Sequence, residues 1–171
     1  MHIGPALPPE LIAATTVTGM AYVDAEARRQ LLDTVAEAIE EISAAVTAIG
    51  AAYEQLDEQS GDRLEEEIFR PLQLAYGRAQ RTHAGFAERH GLPGRTFAPS
   101  AAGHASQGVK GFIDAAVEAA GEADRALGDL QDSMLPVEVG DAELRAGLAE
   151  VRELLGAVPG RARRFVSLFG R

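Results

Sequence analysis

Cysteine does not occur anywhere in the 171 residues. Its absence excludes disulfides, thiolate-bound metals and cysteine nucleophiles together, and it accords with a reducing compartment. Tryptophan is missing too, and aromatic residues make up only 5% of the chain, so a core must be built from aliphatic side chains and alanine. Lysine occurs once, at Lys110, and the remaining Lys/Arg positions are all arginine. No apolar run approaches the ~20 residues of a membrane span. The opening "MHIGPALPPELIAATTV" lacks a basic n-region and carries prolines where a secretory signal needs an apolar segment. The expected location is cytoplasmic. Positive charge is also scarce. The formal net charge of −10 argues against nucleic acid as a partner, because such proteins carry a basic excess.

What is present is helical periodicity. Leu31, Val35, Ala38, Ile42, Ala45, Ile49, Ala52 and Leu56 alternate steps of four and three, a sustained heptad stripe over about 24–58. Ile68, Leu72, Ala75, Ala79, Thr82 and Phe86 predict a second helix over about 62–89. Pro71 lies inside it, and its ring and missing N–H predict a kink or a fresh helix start. "HGLPGRTFAPSAAGHASQG" is dense in Gly, Pro and Ser and reads as one long loop. A third helix follows over about 106–134, with a stripe from Val109 and Phe112 to Leu130 and Met134. After the short link "LPVEVGD", with Asp141 as N-cap, a fourth helix covers about 141–169. Pro159-Gly160 reads as a turn that sets off its last residues.

Four amphipathic segments without a competing strand pattern predict an all-α fold, an antiparallel four-helix bundle with a kinked second helix. The expected organisation is an extended N-terminal arm, 1–23, packing on a single bundle domain, 24–171. The alanine-rich stripes of the first and third helices should let those backbones approach closely. The charges are blocked: 24–67 and 114–143 are acidic, whereas 70–110 sets five Arg, Lys110, His83, His90 and His104 against Glu88 alone. Internal pairing of these blocks is the expectation, with the second helix between the first and third.

Chemistry-bearing patterns are sparse. Metal-binding bundles project Glu and Glu-x-x-His inward, and no Glu-x-x-His occurs here. The inward stripes hold no ionisable residue. His83 and His90 share a helix face and read as solvated. The clusters Glu37/Glu40/Glu41, Glu54/Asp57/Glu58 and Glu65/Glu66/Glu67 read as a solvated face. "GHASQGVKG" lacks the spacing of a phosphate-binding loop. No cofactor, metal or catalytic residue is expected.

Leu7-Pro8-Pro9-Glu10 resembles the N-terminal signature of the mycobacterial PPE family, helical proteins that pair with PE proteins for type VII secretion. Tyr53 and Asp57 are similar to the Tyr-x-x-x-Asp element of such systems. The resemblance stops at the chain's opening: the Trp-x-Gly turn is missing, and "LIAATTV" replaces the small polar run. The proline-rich start is therefore read as the arm.

The chain closes on "AVPGRARRFVSLFGR". On a helix, Phe165, Val166, Leu168 and Phe169 share an arc with Ala162, and Arg163, Arg164, Ser167 and Arg171 lie opposite. Two readings follow. Phe165 and Phe169 continue the fourth helix's stripe and close the core, with arginines suited to a helix C-terminus. Otherwise the segment, with Arg161, Arg163, Arg164, Phe165 and Phe169, docks a protein partner or an anionic membrane surface. Core closure is the favoured reading. The functional expectation is a non-enzymatic protein-interaction, scaffold or regulatory module that self-associates as a homodimer. The alternatives are a small-molecule or lipid carrier with an apolar pocket near Pro71, and a cargo or secreted protein recognised through a terminal peptide.

Overall fold

The computed structural model describes residues 4, 9–101, 103 and 107–169, and for 9–18 the backbone alone. Among these residues the chain is all-helical, with no strand. The helices are α1 (Pro9–Glu54), α2 (Glu58–Leu64), α3 (Arg70–Arg89), α4 (Gly108–Asp132), α5 (Leu135–Glu138) and α6 (Ala142–Phe169), and a π-helical turn, Glu65–Phe69, joins α2 to α3.

The extended arm is corrected. α1 begins at Pro9, because proline is tolerated at a first helical position, where its missing N–H would be unpaired in any case. Met20, Tyr22 and Val23 are exposed and not packed on the rest of the molecule. The part of the arm over 1–3 and 5–8 lies outside the described residues. At its other end α1 stops at Glu54, because Asp57 N-caps α2, accepting from Ser60 N at 2.8 Å. The second helical segment thus starts at Glu58 and not near 62.

Pro71 is accommodated by the π-helical turn immediately before it, so helix continues on both sides. Pro159 differs again. α6 runs through Pro159-Gly160 without the expected turn. Burial of Leu155, Val158, Ala162 and Phe165 on one face holds the helix together and outweighs the lost backbone bond. α5 occupies the "LPVEVGD" link, and Met134, expected in the third stripe, sits at φ 66° and is half-exposed.

Side-chain contacts fix the chain directions. From α3 and the π-helical turn before it to α6 and its N-cap, Glu67 meets Arg161, Arg78 meets Glu150, and Arg89 meets Asp141, so α3 and α6 are opposed. Arg152 of α6 meets Asp124 and Gln131 of α4. Arg28 of α1 donates to the carbonyl of Val139, just beyond the short α5 that follows α4, while Thr47 donates to that of Ser100, before α4. α1 and α4 are therefore opposed as well. α1 packs on α4 and α3, and α6 packs on both of these from the other side. The second long helix thus lies between the first and fourth, not the first and third.

The long loop explains this order. Its residues 92–100 run up α1 from Arg29 and Leu32 to Ser43 and Thr47, carrying the chain back before α4 starts. α3 and α4 consequently descend in the same direction. α1 packs on α4, and Ala38, Ala45 and Ala52 of α1 and Ala116, Ala120 and Ala123 of α4 are all buried, small side chains that permit close packing. α3 comes close to α6 at Gly147, where a Cβ would overlap Thr82 Oγ1.

Candidate functional site

The tail carries two readings, core closure and partner docking, and α6 divides its residues between them. Phe165 is fully buried, with the Arg63 guanidinium 5.6 Å from its ring centroid. Phe169 is 43% exposed and stacks on Phe165 at 5.8 Å, so it caps the core instead of entering it. Arg161 turns inward and donates to the Glu67 carbonyl at 3.3 Å. Arg163 and Arg164 face solvent, as does Leu168. A shallow groove of about 740 Å³ runs along this face, lined by Ala157, Gly160, Arg161, Arg163, Arg164 and Leu168 among others. On the α4 side a second groove, about 490 Å³, is lined by Ile113, Val117, Pro159, Val166 and Arg163. The tail is thus part core and part exposed basic-apolar surface. Arg171 lies outside the described residues.

The opposite end of the molecule carries the other unpartnered surface. α1 is 46 residues long, whereas α4 and α6, which share its core, have 25 and 28. Among the described residues, full burial on α1 starts at Leu31, and Ala27 packs partly against the core. At ~1.5 Å per residue, the turns from Pro9 to Glu26 extend roughly 25 Å. Tyr22 is 69% exposed, and Met20 and Val23 are exposed alike.

The groove beside Pro71, about 400 Å³, is lined by Arg78, Arg81, Arg161, Glu150 and Glu153 together with Pro71, Leu74 and Leu154. Charged walls and an open mouth are unlike the enclosed apolar cavity of a carrier.

The ionisable residues fall differently from the pattern read along the chain. The basic block does pair internally, Arg78 with Glu150, Arg89 with Asp141 and Glu143, and Arg95 with Glu40. Asp141 gathers three partners. It accepts from Arg89 at 2.8 and 2.9 Å, from Leu144 N at 2.8 Å as N-cap, and lies 3.0 Å from His90 Nε2. The Arg89 bonds hold its carboxyl well below the usual carboxylate range. His83 corrects the reading of a solvated histidine: it is 3% exposed, and Nδ1 has no hydrogen-bond partner. Burial, then the nearby Arg95, pushes its imidazole pKa down, while Asp33 pulls the other way. Sequence reasoning placed His83 beside the stripe, but nothing local announced that Phe97 would cover it, rings 5.4 Å apart and perpendicular.

Among the described residues no three His, Asp or Glu side chains converge as a metal site, and no helix is long and apolar enough to cross a membrane. No family model, curated protein or solved structure matches the chain.

Proposed function

We propose that this chain is a non-enzymatic protein-interaction module, an antiparallel helical bundle that self-associates through the free N-terminal turns of α1. The observation that carries this reading is the exposure of Met20, Tyr22 and Val23 on a helix that outruns its neighbours. A projecting helix of this length is marginal in water by itself, since most helical stability comes from packing an apolar face. The stretch from Leu11 to Val23 has no charged residue, so a protein surface suits it better than solvent does. A second copy is the simplest partner, because two-fold dimers are the commonest assemblies and pair one patch with itself.

The lack of cysteine supplies a direct test. Val23→Cys introduces the chain's sole thiol, and mild oxidation of a self-associated protein should give a disulfide-linked dimer. A Cys in place of exposed Glu153, on α6, should not cross-link. Equal cross-linking at both positions would refute pairing through α1.

A second reading rests on the tail. Exposed Arg163 and Arg164 beside Leu168 and Phe169 fit an anionic surface. Co-sedimentation with phosphatidylserine vesicles, weakened by salt and by Arg163→Glu with Arg164→Glu, supports it. Equal recovery without vesicles would remove it.

A further inference from the structure

The segment 92–100 is held on α1 by few and mostly polar contacts. Ser100 N and Oγ both reach Ser43 Oγ, at 3.2 and 3.3 Å. Thr47 donates to the Ser100 carbonyl. Arg95 pairs with Glu40 and lies 5.2 Å from the Phe97 ring centroid. At its start, Leu92 N bonds the carbonyl of Ala87. Between these anchors Leu92 and Phe97 pack against the core, and Phe97 closes over the His83 ring.

Beneath this strap lies a cavity of about 300 Å³, lined by Arg29, Leu32, Asp33, Ala36, His83 and residues 92–95. The charged groups here are Arg29 and Asp33 from α1 and Arg95 from the strap. α4 and α6 contribute none to the lining. In the closed arrangement His83 Nδ1 has no acceptor. An imidazolium must donate from both ring nitrogens, so protonation would leave a buried N–H unpaired beside the like charge of Arg95. Only Asp33 favours it. Lifting the strap would bring water to the ring and relieve both penalties.

From this geometry we infer that residues 92–100 form an acid-released strap, with His83 as the switch and Phe97 as the latch. Release uncovers Leu92, Phe97 and the α1 face around Leu32 and Ala36, an apolar surface hidden at neutral pH. The inference does not depend on how α1 associates, and its test reads the strap alone. The depressed pKa of His83 sets the direction. An open strap restores an ordinary histidine near 6.5, so the open-to-closed ratio rises as pH falls below that value, by up to ~10-fold per pH unit until the closed form also protonates. His90, the other described histidine, has its Nε2 3.0 Å from Asp141 and is not part of this lining.

Amide hydrogen exchange on the full-length chain, from pH 7.5 to 5.0 and corrected for intrinsic exchange, measures the release. The Ser100 amide, bonded to Ser43, should lose protection by up to ~10-fold per pH unit below 6.5. Amides of α1 and α4 around Ile42 and Ala120 should stay far better protected than Ser100 at every pH, which separates release from unfolding. His83→Phe keeps an aromatic ring under the strap and should make Ser100 protection independent of pH, and His83→Gln should do the same should the larger ring not fit. His90→Gln should leave the response intact. Ser100 protection that is flat in the wild-type chain, a response that survives both His83 substitutions, or one abolished by His90→Gln would overturn the switch.

Discussion

Arg161 Nη1 donates to the backbone carbonyl of Glu67 across 3.3 Å, the carbonyl four residues before Pro71. A proline has no N–H to return to that position, and the π-helical turn Glu65–Phe69 widens the helix there. Arg161, one of the candidate docking residues, thus also bonds the chain's own backbone. Arg161→Gln should cost about 1–2 kcal/mol in urea unfolding, as for a charged donor lost from a part-buried carbonyl. Arg163→Gln should fall within about 0.5 kcal/mol of wild type. Equal effects of the two would mean that the contact with Glu67 contributes nothing.

Phe165 and Phe169 separate along the same helix. Phe165→Ala removes a fully buried ring and should cost about 3–5 kcal/mol. Phe169→Ala leaves the core filled and should cost well under half as much. Thermal melts of the two variants decide it, and a larger loss from Phe169 would mean that the tail packs differently. Deleting 161–171 removes Phe165 and Arg161 together and should lower the melting temperature.

Gly147→Ala tests the seam between α3 and α6. The added Cβ meets Thr82 Oγ1 and Cγ2, and Thr82 is itself held by its bond to the Arg78 carbonyl at 2.8 Å. Overpacking of this kind costs about 1–3 kcal/mol. Thr82→Ala in the same chain should recover part of the loss, because the two sites touch and their effects cannot add. Strictly additive losses would show that the helices are not in contact there.

Acid should weaken the fold in two stages. His83 has a folded pKa below its ordinary 6.5, so below that pH the open or unfolded chain takes up a proton that the closed form resists, and stability falls as pH falls. Asp141 has a depressed folded pKa. Its contribution is complete above the ordinary carboxylate value of about 3.9 and is lost as pH drops through the folded value. Urea midpoints from pH 8 to 3 should stay level above 6.5 and decline below it, with a steeper fall under 4. Asp141→Asn should remove the steeper part and His83→Phe the earlier one. A midpoint that rises on acidification would contradict both assignments.

The helical class and much of the core could be read from spacing alone. Leu31 to Ala52 and Ile68 to Phe86 are buried as their heptad steps require, because one helix face can only be buried against another. The neighbour relations could not be read. They depend on residues 92–100 lying along α1, and that course is set by long-range partners such as Ser43–Ser100 and Glu40–Arg95, which leave no periodic trace. The prolines misled locally for a similar reason. Pro9 starts a helix, as proline can at a first helical position, and Pro159 sits inside one, where burial of one helix face outweighs its own propensity. Within the tail, the apolar arc was legible, but its division into buried Phe165 and half-exposed Phe169 depends on where the bundle ends. The inward turn of Arg161 depends on a carbonyl 94 residues away.

Sedimentation velocity of the full-length chain, compared with a variant lacking residues 1–23, bears most directly on self-association through α1. The full chain should sediment as a dimer at micromolar concentration and the shortened one as a monomer. Far-UV circular dichroism of the shortened chain should remain helical and its melting temperature should change little, since among the described residues full burial begins only at Leu31. A full-length chain that sediments as a monomer throughout, or a shortened chain that remains dimeric, would contradict association through the free turns of α1.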